Sequence, residues 1–241
     1  MIIYLQTNSN KLHMKGILGI ITLCMTILLA GEAYADEPIK ITIANKLHET
    51  QFDGKWTFGS EWKGTTETKM YVDGGSLVLR IAHMDGFFYI LIDYLTDTTY
   101  HHIADMAIVC FDGFDTSTMA DESDWCYTVS RESGNGHTLR GGSPLYQTSH
   151  FNLVKNHPDF VAYGGTSGEN DPYVRAPHAT YEFRIPIEQI GFQDEYGFFV
   201  QVFDGNDVKT YPKEFSGKYP QKIPSPTKWG KIFSPDRTIS E

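Results

Sequence analysis

Residues 177–207, PHATYEFRIPIEQIGFQDEYGFFVQVFDGND, decide the fold class of this chain. Apolar and polar side chains alternate over residues 181–185, and apolar side chains recur at every second position over residues 198–202, which is the period of a half-buried β-strand. A proline ends the first strand because it brings no backbone donor to a sheet. The stretch therefore predicts a β-hairpin with a short connection, and it places Glu182 and Arg184 on the solvent face as a cross-strand pair.

The same signals recur along most of the chain. Asp85-Gly86 is a two-residue hairpin turn between the apolar segments at residues 77–82 and 87–94. Short strands with turn residues every 8–12 positions are typical of antiparallel sandwiches and barrels. The sequence predicts an all-β fold, with a single antiparallel β-sandwich of the immunoglobulin-like or jelly-roll-like kind over residues 36–241.

Residues 1–35 have the organisation of a secretory signal peptide. Two lysines precede an apolar run at residues 16–30, and an Ala-Tyr-Ala cleavage motif follows it. The run is about 15 residues long, shorter than the roughly 20 that span a bilayer, although an uncleaved anchor is the alternative. We expect Met14 to be the true start and Asp36 to begin a mature protein that is secreted or held at the cell surface, with no membrane span after cleavage.

Charge and cysteine content restrict the partners and the compartment. The net charge is −10, which argues against nucleic acid and anionic membrane surfaces, because both attract clustered Lys and Arg. Cys110 and Cys126 remain once the leader is removed, and disulfides persist in exported proteins. The pair predicts a cross-strand disulfide, with two buried free thiols as the alternative.

An acidic loop is a candidate calcium site. Calcium takes six to eight oxygen ligands, and several carboxylates on one loop can supply them. The candidate ligands are Asp112, Asp115, Asp121, Glu122 and Asp124. Their spacing is not that of an EF-hand, so a solvated hairpin tip is the alternative. Residues 169–171 form a second acidic cluster.

The histidines and methionines offer weaker signals. No histidines have paired zinc-ligand spacing, so they are expected at the surface, including His101, His102 and His178. A haem b group would need a Met or His that faces a hollow, although a Met on a strand is more often core filler. The candidates are His83, Met84, Met70 and Met106.

Tryptophans are the candidate ligand platforms. Trp56 and Trp62 flank turns, where an exposed indole face can stack on a sugar, and burial in the core is the equal alternative. Trp125 and Trp229 are expected in the core. The sequence has no nucleophile elbow, P-loop or metalloprotease motif, so we predict that the protein is not an enzyme.

An ordered series of motifs resembles the family 9 carbohydrate-binding modules and the related DOMON-like sandwiches, of the exported archaeal or bacterial type. The motifs lie at residues 53–56, 87–97, 104–112, 124–129, 181–186, 197–204 and 229–230. The resemblance implies a β-sandwich that binds sugars, in some members with structural calcium, whereas some DOMON-like relatives bind haem. The glycine-rich residues 130–177 have no counterpart in the series.

These observations predict an exported, non-catalytic binding module for a carbohydrate or surface glycan. One alternative is a haem-binding electron-transfer domain. Another is an accessory subunit of a cell-surface protein complex. In each case we expect the function to lie in the loops that the strands hold in place.

Overall fold

A computed structural model of the protein describes residues 36–44, 47–71, 76–102, 104–113, 118–218 and 220–235. The predicted signal peptide and Asp115 lie outside these residues. In chain order the strands are β1 (Ile39–Lys40), β2 (Thr42–Ile43), β3 (Thr66–Met70), β4 (Leu77–Met84), β5 (Phe87–Tyr94), β6 (Met106–Asp112), β7 (Asp124–Ser130), β8 (His137–Gly141), β9 (Phe151–Val154), β10 (Val161–Ser167), β11 (His178–Pro186), β12 (Glu195–Asp204), β13 (Asp207–Tyr211), β14 (Gly217–Lys218) and β15 (Gly230–Phe233). One α-helical turn, α1 (Ile187–Ile190), and four 3-10 turns (Leu47–Glu49, Tyr146–Thr148, Lys213–Phe215 and Pro226–Lys228) complete the described elements.

The strands form two sheets. The first sheet has the order β1-β15-β12-β6-β7-β8-β9, with β13 also paired to β12 and β14 to β13. The second has the order β10-β11-β5-β4-β2, with β3 also paired to β4. All pairs between the strands are antiparallel except β1 with β15 and β2 with β4. The predicted all-β sandwich is confirmed.

Two local predictions have different outcomes. Asp85 and Gly86 have φ angles of 51° and 78°, as a type I′ turn requires, and they join β4 to β5 as predicted. The predicted hairpin of residues 177–207 is wrong, because β11 pairs with β10 and β5 in the second sheet whereas β12 belongs to the first. The connection α1 buries Ile187 and Ile190 in the core, so this stretch crosses from one sheet to the other.

The main core lies between the sheets and is rich in aromatic rings. Phe88 of β5 stacks on Phe111 of β6 with ring centroids 4.9 Å apart, and Tyr196 of β12 meets Phe88 edge-on at 5.3 Å. These contacts join strands of the two sheets. Aromatic pairs in such geometries add about 0.5–1.5 kcal/mol beyond the burial of their area.

The outer face of the first sheet is also covered. Cys110 and Cys126 are directly opposed on β6 and β7 and form the predicted disulfide. Phe199 and Trp229 pack in the same hydrophobic cluster, with ring centroids 6.0 Å apart. This second cluster explains why the strands of the first sheet are buried on both faces.

The outer face of the second sheet is covered by the segment at residues 51–62. Trp56 and Trp62 lie in a third cluster with Leu91 of β5, and their exposed fractions are 1% and 0%. Both indoles are therefore buried, as the alternative prediction had it, and neither ring presents a face to solvent.

The prediction that Glu182 faces solvent is wrong, because the segment at residues 51–62 covers it and leaves it 0% exposed. Its Oε2 accepts hydrogen bonds from the backbone N–H groups of Asp53 at 2.9 Å and Gly54 at 2.7 Å. Its Oε1 accepts one from Nε1 of Trp62 at 3.1 Å. Glu182 therefore anchors the covering segment instead of forming a surface pair with Arg184.

In the part of the chain that the structure describes, no helix has the length and the hydropathy needed to cross a membrane.

Candidate functional site

Two clefts open among the glycine-rich residues 130–177, where the function is expected. The Asn135 cleft is lined by residues 134–137, Asn156 and residues 160–162, and its volume is about 630 Å³. The Glu169 cleft is lined by residues 55–57, residues 166–170 and Pro177, and its volume is about 450 Å³. Both volumes are within the range of about 300–1,000 Å³ that is usual for small-molecule sites.

Close backbone packing fixes the walls of the Asn135 cleft. Ser133 and Gly164 exchange backbone hydrogen bonds of 3.0 and 2.8 Å, which tie the loop before β8 to β10. A Cβ at Gly136 would lie 2.7 Å from the Cβ of Ala162 and 3.0 Å from the ring of Phe160. Residue 136 therefore has to be glycine for the two walls to come this close.

The lining of the Asn135 cleft combines an aromatic ring with neutral polar groups. Phe160 is half-buried and packs against Tyr127, with ring centroids 5.1 Å apart. Asn135, His137 and Asn156 are exposed around it. Nδ2 of Asn156 donates to the carbonyl of Gly136 at 2.8 Å, which holds this amide in place. The cleft thus offers donors and acceptors beside an apolar surface.

The Glu169 cleft has a more polar character. Its rim carries Lys55, Glu169 and Asn170, and Nδ2 of Asn170 donates to the carbonyl of Thr57 at 2.8 Å. Trp56 also lines it, but the 1% exposure of this residue leaves no ring face for stacking. Among the sequence candidates, Trp62 lines neither cleft.

The structure brings some of the predicted calcium ligands together. Asp112 and Asp124 are cross-strand partners on β6 and β7, and both are buried. Oδ2 of Asp124 accepts from the backbone N–H of Asp121 at 2.7 Å. Burial raises the pKa of Asp124 to about 7, and the charges of Asp112 and Asp121 add to the effect. Glu122 is exposed and its carboxylate pairs with Arg140 at 3.3 Å.

His178 is buried, so the prediction of a surface histidine is wrong at this position. Its Nδ1 faces the carbonyl of Ala176 at 2.7 Å, and its Nε2 lies 2.7 Å from Oδ1 of Asp93 and 3.5 Å from Oδ2 of Asp171. Although burial lowers the pKa of His178, its hydrogen bonds to Asp171 and Asp93 raise it to about 10. Because the imidazolium is balanced by adjacent carboxylates, this cluster is a buried ion pair on the outer face of the second sheet.

His101 meets carboxylates as well. Its Nδ1 lies 3.2 Å from Oδ1 of Asp105 and 3.3 Å from Oδ1 of Asp204. Asp97 and Arg131 lie beside this group, with 3.5 Å between Nη1 of Arg131 and Oδ1 of Asp97. Burial raises the pKa of Asp97 to about 7, and the negative charges of Asp204 and Asp105 act in the same direction.

The proposed haem ligands do not converge. Met70 belongs to the main core, Met84 to the cluster over the second sheet, and Met106 packs on the cluster over the first sheet. Nε2 of His83 is 2.8 Å from Oγ of Ser234. The three methionines therefore lie in different hydrophobic clusters.

The residues that line the Asn135 cleft were not selected as ligands from the sequence. Residues 134–136, Gly-Asn-Gly, have the composition of a turn, and residues 160–163, Phe-Val-Ala-Tyr, have that of a strand. Neither pattern alone indicates a site, because Asn156 and Phe160 reach this turn only where the loop before β8 meets β10.

The structure is similar to two solved structures of a carbohydrate binding module family 9 (CBM9) from Caldicellulosiruptor kristjanssonii. The structure in complex with cellotriose has a TM-score of 0.48 and 12% sequence identity, and the match covers 82% of this chain and 93% of that chain. The structure in complex with glucose has a TM-score of 0.43 and 12% identity, with 81% and 95% covered. No family model matches the sequence, and neither does any of the curated proteins. A likeness at this identity concerns the fold, so the ligand has to be inferred from this chain's own residues.

Proposed function

We propose that this protein is an exported, non-catalytic binding module and that it binds a carbohydrate in the Asn135 cleft. The observation that carries the proposal is the lining of this cleft, in which the half-buried ring of Phe160 lies among the exposed polar side chains of Asn135, His137 and Asn156. A sugar presents hydroxyl groups at its edge and C–H groups on its faces. Amides can exchange hydrogen bonds with the hydroxyl groups, and an aromatic ring can pack against the C–H faces.

Binding without hydrolysis fits the same lining. Glycosidases use a pair of Asp or Glu residues on either side of the scissile bond. The residues that line the Asn135 cleft include neither. A sugar bound there would meet amide and imidazole groups and no carboxylate pair.

Export is supported by two features of different kinds. The leader at residues 1–35 has a basic start, a short apolar run and a small-residue cleavage motif. The disulfide between Cys110 and Cys126 belongs to an oxidising compartment. N-terminal sequencing of the mature protein tests this part of the proposal, because a start far from Asp36 contradicts it.

A glycan array, followed by affinity electrophoresis in polysaccharide gels, tests the ligand class. Cellotriose and glucose, the ligands of the two compared structures, are the first soluble probes. We expect retention by at least one polysaccharide. No retention on any glycan would overturn the proposal, and co-purification of a protein partner from the native envelope would favour the accessory-subunit alternative.

Point variants locate the site. Asn135→Ala removes one exposed amide from the cleft, and the loss of about one hydrogen bond is expected to weaken binding roughly 3–10-fold. Asn152→Ala is the matched control, since Asn152 is an exposed asparagine on β9 outside the cleft. Glu169→Gln tests the other cleft. A loss of binding in Glu169→Gln with full binding in Asn135→Ala would show that the site is misplaced.

We also propose that the acidic end of β6 and β7 binds calcium. Oδ1 of Asp124 accepts no hydrogen bond from the described residues although the side chain is 1% exposed. A divalent cation would compensate the adjacent charges of Asp112 and Asp124, which oppose each other across the strand pair.

A further inference from the structure

We propose that Asp97, His101 and Asp105 form a binding site for a first-row transition-metal ion, with Zn²⁺ as the reference ion and with Asp204 as a neighbouring carboxylate. The inference is independent of the carbohydrate proposal. It concerns the end of the sandwich where the loop after β5, the start of β6 and the end of β12 meet.

The distances fit the coordination sphere of one ion. The ligand atoms of Asp97, His101 and Asp105 all lie within 4.8 Å of one another. Zn–N and Zn–O bonds are about 2.0–2.2 Å long, so two ligands at a tetrahedral angle are about 3.3–3.5 Å apart. Nδ1 of His101 lies 3.2 Å from Oδ1 of Asp105 and 3.3 Å from Oδ1 of Asp204, close to that spacing.

Asp97 supplies a second, independent observation. Its exposed fraction is 1%, yet neither of its carboxylate oxygens accepts a hydrogen bond from the described residues. Its nearest cation is Arg131, with 3.5 Å between Nη1 and Oδ1. Buried polar atoms are normally satisfied, and an ion is one of the partners that explains an exception.

The ionised side chains of the site carry a net negative charge that a divalent cation would balance. Asp97, Asp105 and Asp204 carry three negative charges when ionised, and the guanidinium of Arg131, 3.4 Å from Asp105, offsets one of them. With a neutral imidazole at His101, a divalent cation brings the group to neutrality. The mixed nitrogen and oxygen donor set suits Zn²⁺ and its neighbours, because Ca²⁺ prefers oxygen ligands alone.

The surrounding backbone holds the ligands in place and leaves an entrance. Oδ2 of Asp105 accepts from the backbone N–H of His101 at 2.8 Å, and its Oδ1 accepts from that of Gly205 at 3.3 Å. A Cβ at Gly205 would lie 2.9 Å from the imidazole of His101, so the glycine makes room for the ring. The side chain of His101 is 40% exposed, which gives an ion access from solvent.

Isothermal titration of the purified, untagged and EDTA-treated protein with ZnCl₂ tests the site. We expect one Zn²⁺ per chain, and at least tenfold weaker binding in His101→Ala and in Asp97→Asn. His102→Ala is the matched control, because His102 is the adjacent and exposed histidine, and its affinity should stay within about twofold of the wild type.

Several results overturn the proposal. They are the absence of Zn²⁺ binding, an unchanged affinity in His101→Ala, an equal loss in His102→Ala, and Ca²⁺ binding as tight as that of Zn²⁺. Visible absorption of the Co²⁺-loaded protein is a second measurement that reports the nitrogen ligand directly. If His101→Ala fails to fold, His101→Gln takes its place, and a Co²⁺ spectrum identical to that of the wild type overturns the assignment.

Discussion

Replacing Glu182 tests the claim that one buried carboxylate fixes the cover over the second sheet. Three N–H donors converge on it, from Asp53, Gly54 and the indole of Trp62. In Glu182→Gln the amide oxygen can still accept the two backbone donors, but the NH₂ group then faces the indole N–H. The indole N–H loses its acceptor and the NH₂ group is itself a buried donor, so we expect a cost of about 1–3 kcal/mol.

A second effect opposes this cost. Burial raises the pKa of Glu182 well above its ordinary value, against the hydrogen bond from Gly54, and the nearby Glu61 raises it further. Glu182→Gln removes a buried negative charge and its repulsion by Glu61, which offsets part of the cost of about 1–3 kcal/mol. We therefore expect a net loss of about 1–2 kcal/mol in the free energy of unfolding. For a chain of this size the midpoint of thermal unfolding should fall by about 2–8 °C.

Urea unfolding followed by circular dichroism measures the effect. Glu49→Gln is the matched control, because Glu49 is an exposed glutamate in the 3-10 turn Leu47–Glu49, just before the covering segment. In a double-mutant cycle with Trp62→Phe, which removes the indole donor, Glu182→Gln should cost about 1 kcal/mol less than in the wild type. If Glu182→Gln is as stable as Glu49→Gln, or if the cycle shows no coupling, the reasoning is refuted.

Four further outcomes are expected. Replacing Cys110 and Cys126 together by serine should lower the free energy of unfolding by about 3 kcal/mol, measured against oxidised wild type, because the bridge closes a loop with a sequence separation of 16. Although burial raises the pKa of Asp171, hydrogen bonds from His178 and from the backbone N–H groups of Val174 and Tyr173 lower it to about 2, so its stabilisation is present above pH 3.8 and lost as the pH falls toward 2; a urea series in Asp171→Asn should lack this loss. Calcium should raise the melting temperature relative to chelator, and Asp124→Asn should remove the difference, whereas identical wild-type curves would end the calcium proposal. Gly136→Ala should destabilise the protein by about 1–3 kcal/mol and weaken carbohydrate binding, because its methyl group meets the wall of the Asn135 cleft.

The sequence by itself determined the features that depend on neighbouring residues. Alternating side chains identified the strands, and Asp85-Gly86 identified a turn with two positive φ angles, because both signals are local. The disulfide followed from the parity of the cysteines and the exported setting. The resemblance of the ordered motifs implied a β-sandwich, and the two sheets confirm it.

Only the tertiary structure decided which segments cover the outer faces of the two sheets. A two-residue period identifies one buried face but does not show whether a later segment packs on the other, and so Glu182 was assigned to the surface although it is buried. The same limit applied to residues 177–207, since periodicity does not distinguish a hairpin from a crossing between sheets. The candidate sites depend on even longer separations. His101 meets Asp204, and Asn135 and Asn156 line one cleft, because the fold brings distant segments together, and no spacing along the chain encodes that approach.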